Sequence, residues 1–276
     1  MIKTPTGHPL EPVFDWYQFS TKMEARDVIE LFEPLGQDDP FKDEKPKLKG
    51  YGWAKKTGGP GGSVLIHYGG RNGDEYGPNV VGTGPAAVKV ADLVRGACVP
   101  HGVGRADVRL DFLGDFEACR LQFIDRCNDA GMVARDHGSC PESVKQCGRS
   151  VYGGSPKSFY TPTLYQKGLQ LGDGHPVDYL RLEHRFAPTK AHEKAQLSTM
   201  TPADMVGLRP VSRDLTEKIT ALAVAPYKLD RYPKEKGPWY WMLKAYQKAL
   251  REAHSDLGSW SAVGHQIGYD LENLDL

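Results

Sequence analysis

The stretch RSVYGGSPKSFYTPTLYQKGLQLGDGHPVDYLRLEHRF, Arg149–Phe186, gathers three ingredients of phosphoester chemistry: a glycine-rich turn, a tyrosine beside a lysine, and a carboxylate flanked by arginines. At the two-residue period of a strand, Thr163, Tyr165 and Lys167 share one face, and Leu164 and Gln166 the other. In LRLEHRF the same period sets Leu180, Leu182, His184 and Phe186 on a mainly apolar face, opposite Arg181, Glu183 and Arg185. This pattern predicts a half-buried strand with a charged outer face.

Outward from that stretch, RADVRLDF at 105–112 alternates strictly, with Ala106, Val108, Leu110 and Phe112 against Arg105, Asp107, Arg109 and Asp111. If these three strands are neighbours in one sheet, Tyr165, Lys167, Asp107, Asp111, Glu183 and several arginines share its second face. A face of that composition is ordinarily a solvated, salt-linked surface of little energetic weight. Periodicity alone leaves surface and site both open.

Composition narrows the classes. At 276 residues, 39% hydrophobic and 10% aromatic, the chain can bury a proper core. Its 35 basic and 35 acidic residues cancel, so any surface that attracts nucleic acid must be local. Cys98, Cys119, Cys127, Cys140 and Cys147 are an odd, scattered set that fits a reduced cytosol better than a disulfide framework. His137, Cys140 and Cys147 lack the fourth ligand and the paired short spacing of a zinc motif. No apolar run approaches the roughly 20 residues of a membrane span, and MIKTPTGHPLEP has no export signal. A soluble, cytoplasmic protein is expected.

Along the chain, PVFDWYQFS near 12–20 reads as a strand and Lys22 to Leu35 as an amphipathic helix. GQDDPFKDEKPKLK at 36–49 reads as a mobile surface loop, and Gly50 to Ala54 with Ser63 to Tyr68 as a strand pair. Their KKTGGPGG connection lacks the Lys-Ser/Thr ending and following helix of a phosphate loop. PNVVGTG at 78–84 suggests a strand, and Ala86 to Arg95 and Phe116 to Ala130 suggest helices, the second ended by Gly131. Beyond Phe186 the patterns turn helical, over Lys190–Leu197, Pro202–Val206, Asp214–Val224 and 238–253, with proline at the first helical position of TPADM. The whole predicts an α+β fold on a mainly antiparallel sheet, with a hint of two related halves and helices on one face. Residues 1–189 would form the catalytic part and 190–276 a helical region packed on it.

The succession RADVRLDF, VYGGSPKS, TLYQKG and LRLE resembles the replication initiation factors that start rolling-circle replication in one group of staphylococcal plasmids and in several filamentous phages. These pieces cover roughly residues 105–186, in the family's order and at comparable separations. The resemblance implies that Tyr165 attacks the scissile phosphate at the replication origin, and that Asp107 and Glu183 help to hold a divalent metal, Mg²⁺ or Mn²⁺. Asp111 stands on the same face as a third candidate ligand. It also implies origin DNA as substrate, presented as a hairpin or single-stranded nick site, a homodimer, and a host helicase and polymerase as further partners. Two departures stand out. Lys167-Gly168 replaces the Lys-Lys usual in the plasmid proteins, and Thr163-Leu164 replaces their Arg-Ile.

The residue chemistry agrees with these expectations. A phenol of pKa near 10 needs a base or nearby positive charge to attack at neutral pH, and Lys167 can supply charge. Arg105, Arg181 and Arg185 are phosphate clamps by type. Gly153, Gly154 and Ser155 can offer backbone N–H groups to a phosphate, or simply make a tight turn. The chain has no His-hydrophobic-His triplet, which disfavours the histidine metal site of other nickases. Two competing functions stay open: a non-catalytic DNA-binding regulator, and a metal nuclease that uses activated water.

Overall fold

The alternation in RADVRLDF becomes the central strand of a ten-stranded sheet. Ala106, Val108, Leu110 and Phe112 are each at most 1% exposed, and the strand, β6, extends beyond the predicted stretch to His101–Leu113. The computed structural model describes residues 3–36, 38–59, 62–70, 77–137, 148–229 and 246–272. Within them the larger unit, Met1–Leu229, contains the strands β1 (Val13–Thr21), β2 (Lys42–Glu44), β3 (Tyr51–Gly59), β4 (Gly62–Gly70), β5 (Asn79–Thr83), β7 (Ala134–His137), β8 (Ser150–Gly153), β9 (Tyr160–Gln166) and β10 (Tyr179–Phe186). Their order is β2-β3-β4-β5-β1-β6-β10-β9-β8-β7, and every pairing is antiparallel. The three strands of the opening stretches are therefore adjacent, as β6-β10-β9.

The helices of this unit are α1 (Ala25–Phe32), α2 (Pro85–Gly96), α3 (Phe116–Asp129), α4 (Lys167–Leu171), α5 (Ala191–Leu197), α6 (Pro202–Gly207) and α7 (Pro210–Thr220). All but α4 bury apolar side chains against one face of the sheet. Phe32, Val90 and Met205 meet Tyr17, Phe19, Val103 and Phe186 in one cluster. Phe123, Cys127 and Leu215 meet Leu110, Leu164, Leu180 and Leu182 in a second. Each such side chain contributes about 1.5–3 kcal/mol on burial, so this layer carries most of the fold's stability. The helix ends follow local chemistry: Asp115 caps α3 through its side chain, and Thr201 and Asp204 form a capping box ahead of Pro202.

Several elements differ from the sequence reading. Residues 36–49 are not simply a loop, because Lys42–Glu44 pairs with β3 and Asp39 accepts from Gly58 N at 3.0 Å. The helix expected at 214–224 is α7, four residues earlier; Pro210 starts it and Ala221, at φ 51°, ends it. Strands β7 and β8 went unforeseen, being too short for alternation to register. The region 190–229 belongs to the larger unit, whereas Asp230–Leu276 forms a unit of its own. Its described part has helices α8 (Gln247–Leu257) and α9 (Trp260–Glu272), with Gly258 between them and the His254 ring 4.4 Å from that of Trp260. The start of the helix expected at 238–253 lies outside the described residues, as do Cys140 and Cys147.

One buried polar chain ties α7 to the sheet. His184 is 0% exposed, with Nδ1 2.8 Å from the Tyr160 hydroxyl and Nε2 2.9 Å from Thr216 Oγ1. Thr216 Oγ1 donates to Ser212 O at 2.8 Å, so its lone pairs face His184. The imidazole therefore carries its proton on Nε2 and accepts from Tyr160. Burial pushes the His184 pKa down to about 3. Below the ordinary value of 6.5 the unfolded chain takes up a proton that the fold refuses, so stability falls with pH from about 6.5 toward about 3. The variant His184→Gln lacks this term, and its stability gap to the wild type in urea unfolding is predicted to narrow by about 2 kcal/mol between pH 7.5 and pH 5.

Candidate active site

The face of the sheet turned away from the packed helices receives the polar residues of β6, β10 and β9. Register sets them in rows. Asp111, Arg181 and Tyr165 lie opposite one another across three strands, with Ser150 of β8 beyond; Arg109, Glu183, Thr163 and Tyr152 make the next row. Asp107, Arg185 and Thr161 form a third, which Trp16 of β1 extends. The shared face expected from periodicity exists, but it is far from a solvated surface. Asp107 is 2% exposed and Arg181 4%.

Two ion-pair clusters fill it. Arg181 donates to both Asp111 oxygens, Nε at 2.6 Å and Nη2 at 2.9 Å, and through Nη1 to Asp15 at 3.0 Å. Arg109 donates to the other Asp15 oxygen at 2.7 Å and lies 3.4 Å from Asp111, which closes a square of alternating charge. Asp15 reaches this square because β1 bulges there: register slips between Phe14 and Trp16, leaving Asp15 as the extra residue. In the second cluster Arg105 Nε donates to both oxygens of Asp107, at 2.9 and 3.1 Å, while its guanidinium lies 4.3 Å from the centre of the Trp16 ring. Arg185 approaches Asp107 at 3.4 Å and Glu183 at 3.8 Å. Removing one partner of such a buried pair leaves an uncompensated charge and costs about 3–5 kcal/mol.

Tyr165 sits against the first cluster. Burial pushes its phenol well above the usual range, Arg181 draws it down by charge and hydrogen bond, and Glu183 and Asp15 push it further up. Burial works against the Arg181 charge, yet its bonds to Asp111 and the neighbouring Tyr165, Asp111 and Asp15 hold its pKa raised. Lys167 is not on the strand as expected. It opens α4, because β9 ends at Gln166 and the chain turns tightly at Gly168, where a Cβ would overlap the Pro176 carbonyl. From there Lys167 Nζ lies 5.9 Å from the centre of the Tyr165 ring and donates to Gln170 at 2.8 Å. Burial, then the Arg181 charge, lowers its pKa.

Tyr165, Lys167, Arg181, Asp111 and Glu183 are thus brought together, with Asp107, Arg105 and Arg185 in the adjoining cluster. Gly153, Gly154 and Ser155 are not part of this group. They lie toward the other end of β9, where Gly154 N donates to Val133 O at 2.9 Å and a Cβ on Gly153 would press on Cys127 and Pro162. Gly154 and Ser155 instead line a cavity of about 630 Å³ with Arg135, Phe159 and Arg209. Asp15 was overlooked in the sequence, although a lone carboxylate inside VFDWYQF was a visible signal.

A divalent cation fits some of the three expected ligands better than others. Both Asp111 oxygens are engaged by Arg181, and Asp107 is held by Arg105. Among the described residues Glu183 keeps one ion-pair contact, the long one to Arg185. Burial and the charges of Asp107 and Asp15 push its carboxyl up to about 7, against the pull of Arg185 and Arg181. Among the described residues no three His, Cys, Asp or Glu side chains are grouped to hold a metal. Glu183 is thus the carboxylate of the three best placed to take a cation, while Asp107, both of whose oxygens accept from Arg105, would first have to yield a bond. Mg²⁺ can bind through as few as one or two carboxylates, its shell completed by waters and substrate phosphates.

The raised Glu183 pKa has a stability consequence. The fold holds this proton more tightly than the unfolded chain, so stability falls as pH rises from about 4.5 through about 7. Glu183→Gln, in protein stripped of divalent cations, is predicted to exceed the wild type by roughly 3 kcal/mol in urea unfolding at pH 8. The gain should vanish near pH 4.5; a gap independent of pH would contradict this electrostatic picture.

No family model and no curated protein sequence matches the chain. Its fold is similar to that of the rolling circle replication initiator protein from Geobacillus stearothermophilus, with a TM-score of 0.54 and 19% sequence identity over 79% of this chain and 100% of that one.

Proposed function

We propose that this protein initiates rolling-circle replication by nicking and rejoining origin DNA through a 5′-phosphotyrosyl bond at Tyr165. The observation that carries this reading is the Tyr165 phenol beside the buried Arg181, with Glu183 and Lys167 around it. The likeness in fold to a rolling circle replication initiator supports it.

In the forward step the Tyr165 oxygen attacks the scissile phosphorus; a P–O bond to tyrosine forms as the P–O3′ bond breaks. The phenol proton passes to Lys167 once its amine is deprotonated, a state its lowered pKa favours, and a proton returned to O3′ completes the free hydroxyl. Arg181 stabilises the phenolate, first as nucleophile and, on rejoining, as leaving group. Held by Asp111 and Asp15, its guanidinium keeps one orientation throughout. Mg²⁺ or Mn²⁺ on Glu183 and Asp107 would neutralise charge on the phosphoryl oxygens. The 3′ hydroxyl serves a polymerase as primer, and the retained phosphotyrosyl bond allows later closure. A homodimer, and recruitment of a host helicase, belong to the same proposal.

The test is incubation with Mg²⁺ or Mn²⁺ and supercoiled DNA carrying the protein's gene and flanking sequence, followed by denaturing electrophoresis and peptide mapping. Wild type is predicted to give a nicked circle with DNA on Tyr165, and Tyr165→Phe to give none. Lys167→Met should retain the adduct while slowing nicking by about 10²-fold and shifting the pH profile upward. Nicking that survives Tyr165→Phe would favour activated water instead, and binding without nicking would favour a regulator.

A further inference from the structure

Beside Tyr165 stands an aromatic side chain that the proposed chemistry does not use. Tyr152 on β8 is the Cα partner of Thr163, so it shares the face of Tyr165 and is its diagonal neighbour, about 7–8 Å away by the geometry of antiparallel pairs. One nucleotide step can span that separation. Tyr152 is 39% exposed, and the other aromatic groups of this face are differently engaged. Trp16 has Arg105 over its ring, and Tyr179 is 8% exposed.

The surroundings of Tyr152 fix its ring without covering it. The His137 ring stands nearly perpendicular to it, 5.2 Å between centroids at 84°, which braces the phenol while over a third of the residue stays exposed. Arg135 is its Cα partner on β7, and Arg135 Nη1 donates to Gly154 O at 3.0 Å. That bond commits the guanidinium to Gly154 and the cavity it lines with Phe159 and Arg209, and so leaves the Tyr152 ring uncovered on that side. A flat, exposed aromatic surface binds an unpaired base without regard to sequence.

We infer that Tyr152 is a stacking platform for an unpaired base of single-stranded DNA next to the phosphate attacked by Tyr165. The inference rests on the reading that this face receives DNA. It adds that the strand is held open at the nick and crosses the sheet toward β7.

The experiment separates base from backbone. An oligothymidylate of about a dozen nucleotides, a length matched to a single-strand groove, and a deoxyribose-phosphate chain of equal length without bases are titrated by fluorescence anisotropy. Protein is wild type, Tyr152→Ala or Tyr152→Trp, all in EDTA so that no strand is cut. Wild type is expected to prefer the oligothymidylate, and Tyr152→Ala to lose about 5- to 100-fold of affinity for it while binding the base-free chain unchanged. Tyr152→Trp should restore the preference. A wild-type preference that survives Tyr152→Ala, or no preference at all, would overturn the inference and leave the nicking reading standing. Failure of the wild type to bind either chain at low salt would overturn both.

Discussion

Arg181 is the group on which the rest of the site depends. It is nearly fully buried, and a bare guanidinium there would be prohibitive; two carboxylates from two other strands, Asp111 of β6 and Asp15 of β1, make it tolerable. Those bonds leave Arg181 one orientation, facing the Tyr165 phenol across the β9–β10 pair. A single cation thereby ties together strands widely separated in sequence and sets the electrostatics of the tyrosine.

The two faces of the sheet divide the labour. On the helix side, Leu110, Leu164, Leu182 and their neighbours bury apolar surface and supply stability. Directly beneath the polar rows, the chain of Tyr160, His184 and Thr216 fixes α7 to β10 and β9. On the other face, charge is packed at a density that the helix-side core must support. Asp107 with Arg105, and Asp111 with Arg181, are already neutralised. Glu183 is left short of positive charge, which is why its carboxyl is pushed up.

The sequence carried much of this arrangement in one signal. Strict alternation in RADVRLDF and LRLEHRF revealed both strands and sorted their residues by face, because a half-buried antiparallel strand has a period of two. Other features had no such signal. Lys167 fits the strand period arithmetically, but β9 ends at Gln166, and the close approach of Gly168 to the Pro176 carbonyl is a tertiary contact that alternation does not report. Asp15 reaches the site only because of a bulge, and bulges break the period that reveals strands. Tyr152 lies on a four-residue strand too short to read. The dryness of the charged face was also hidden, since burial of Asp107 and Arg181 comes from neighbours that only the register supplies.

Burial raises the pKa of the Tyr165 phenol, and the Arg181 charge, held by Asp15 and Asp111, is what opposes it. Incorporating a fluorinated tyrosine at position 165, whose phenol titrates in an accessible range, lets ¹⁹F NMR follow that ionisation directly. Asp15→Asn removes a negative neighbour that raises the phenol pKa and frees part of the Arg181 charge to act on it. The phenol pKa is expected to be lower in Asp15→Asn than in the otherwise unchanged protein. An unchanged or higher value would contradict that balance.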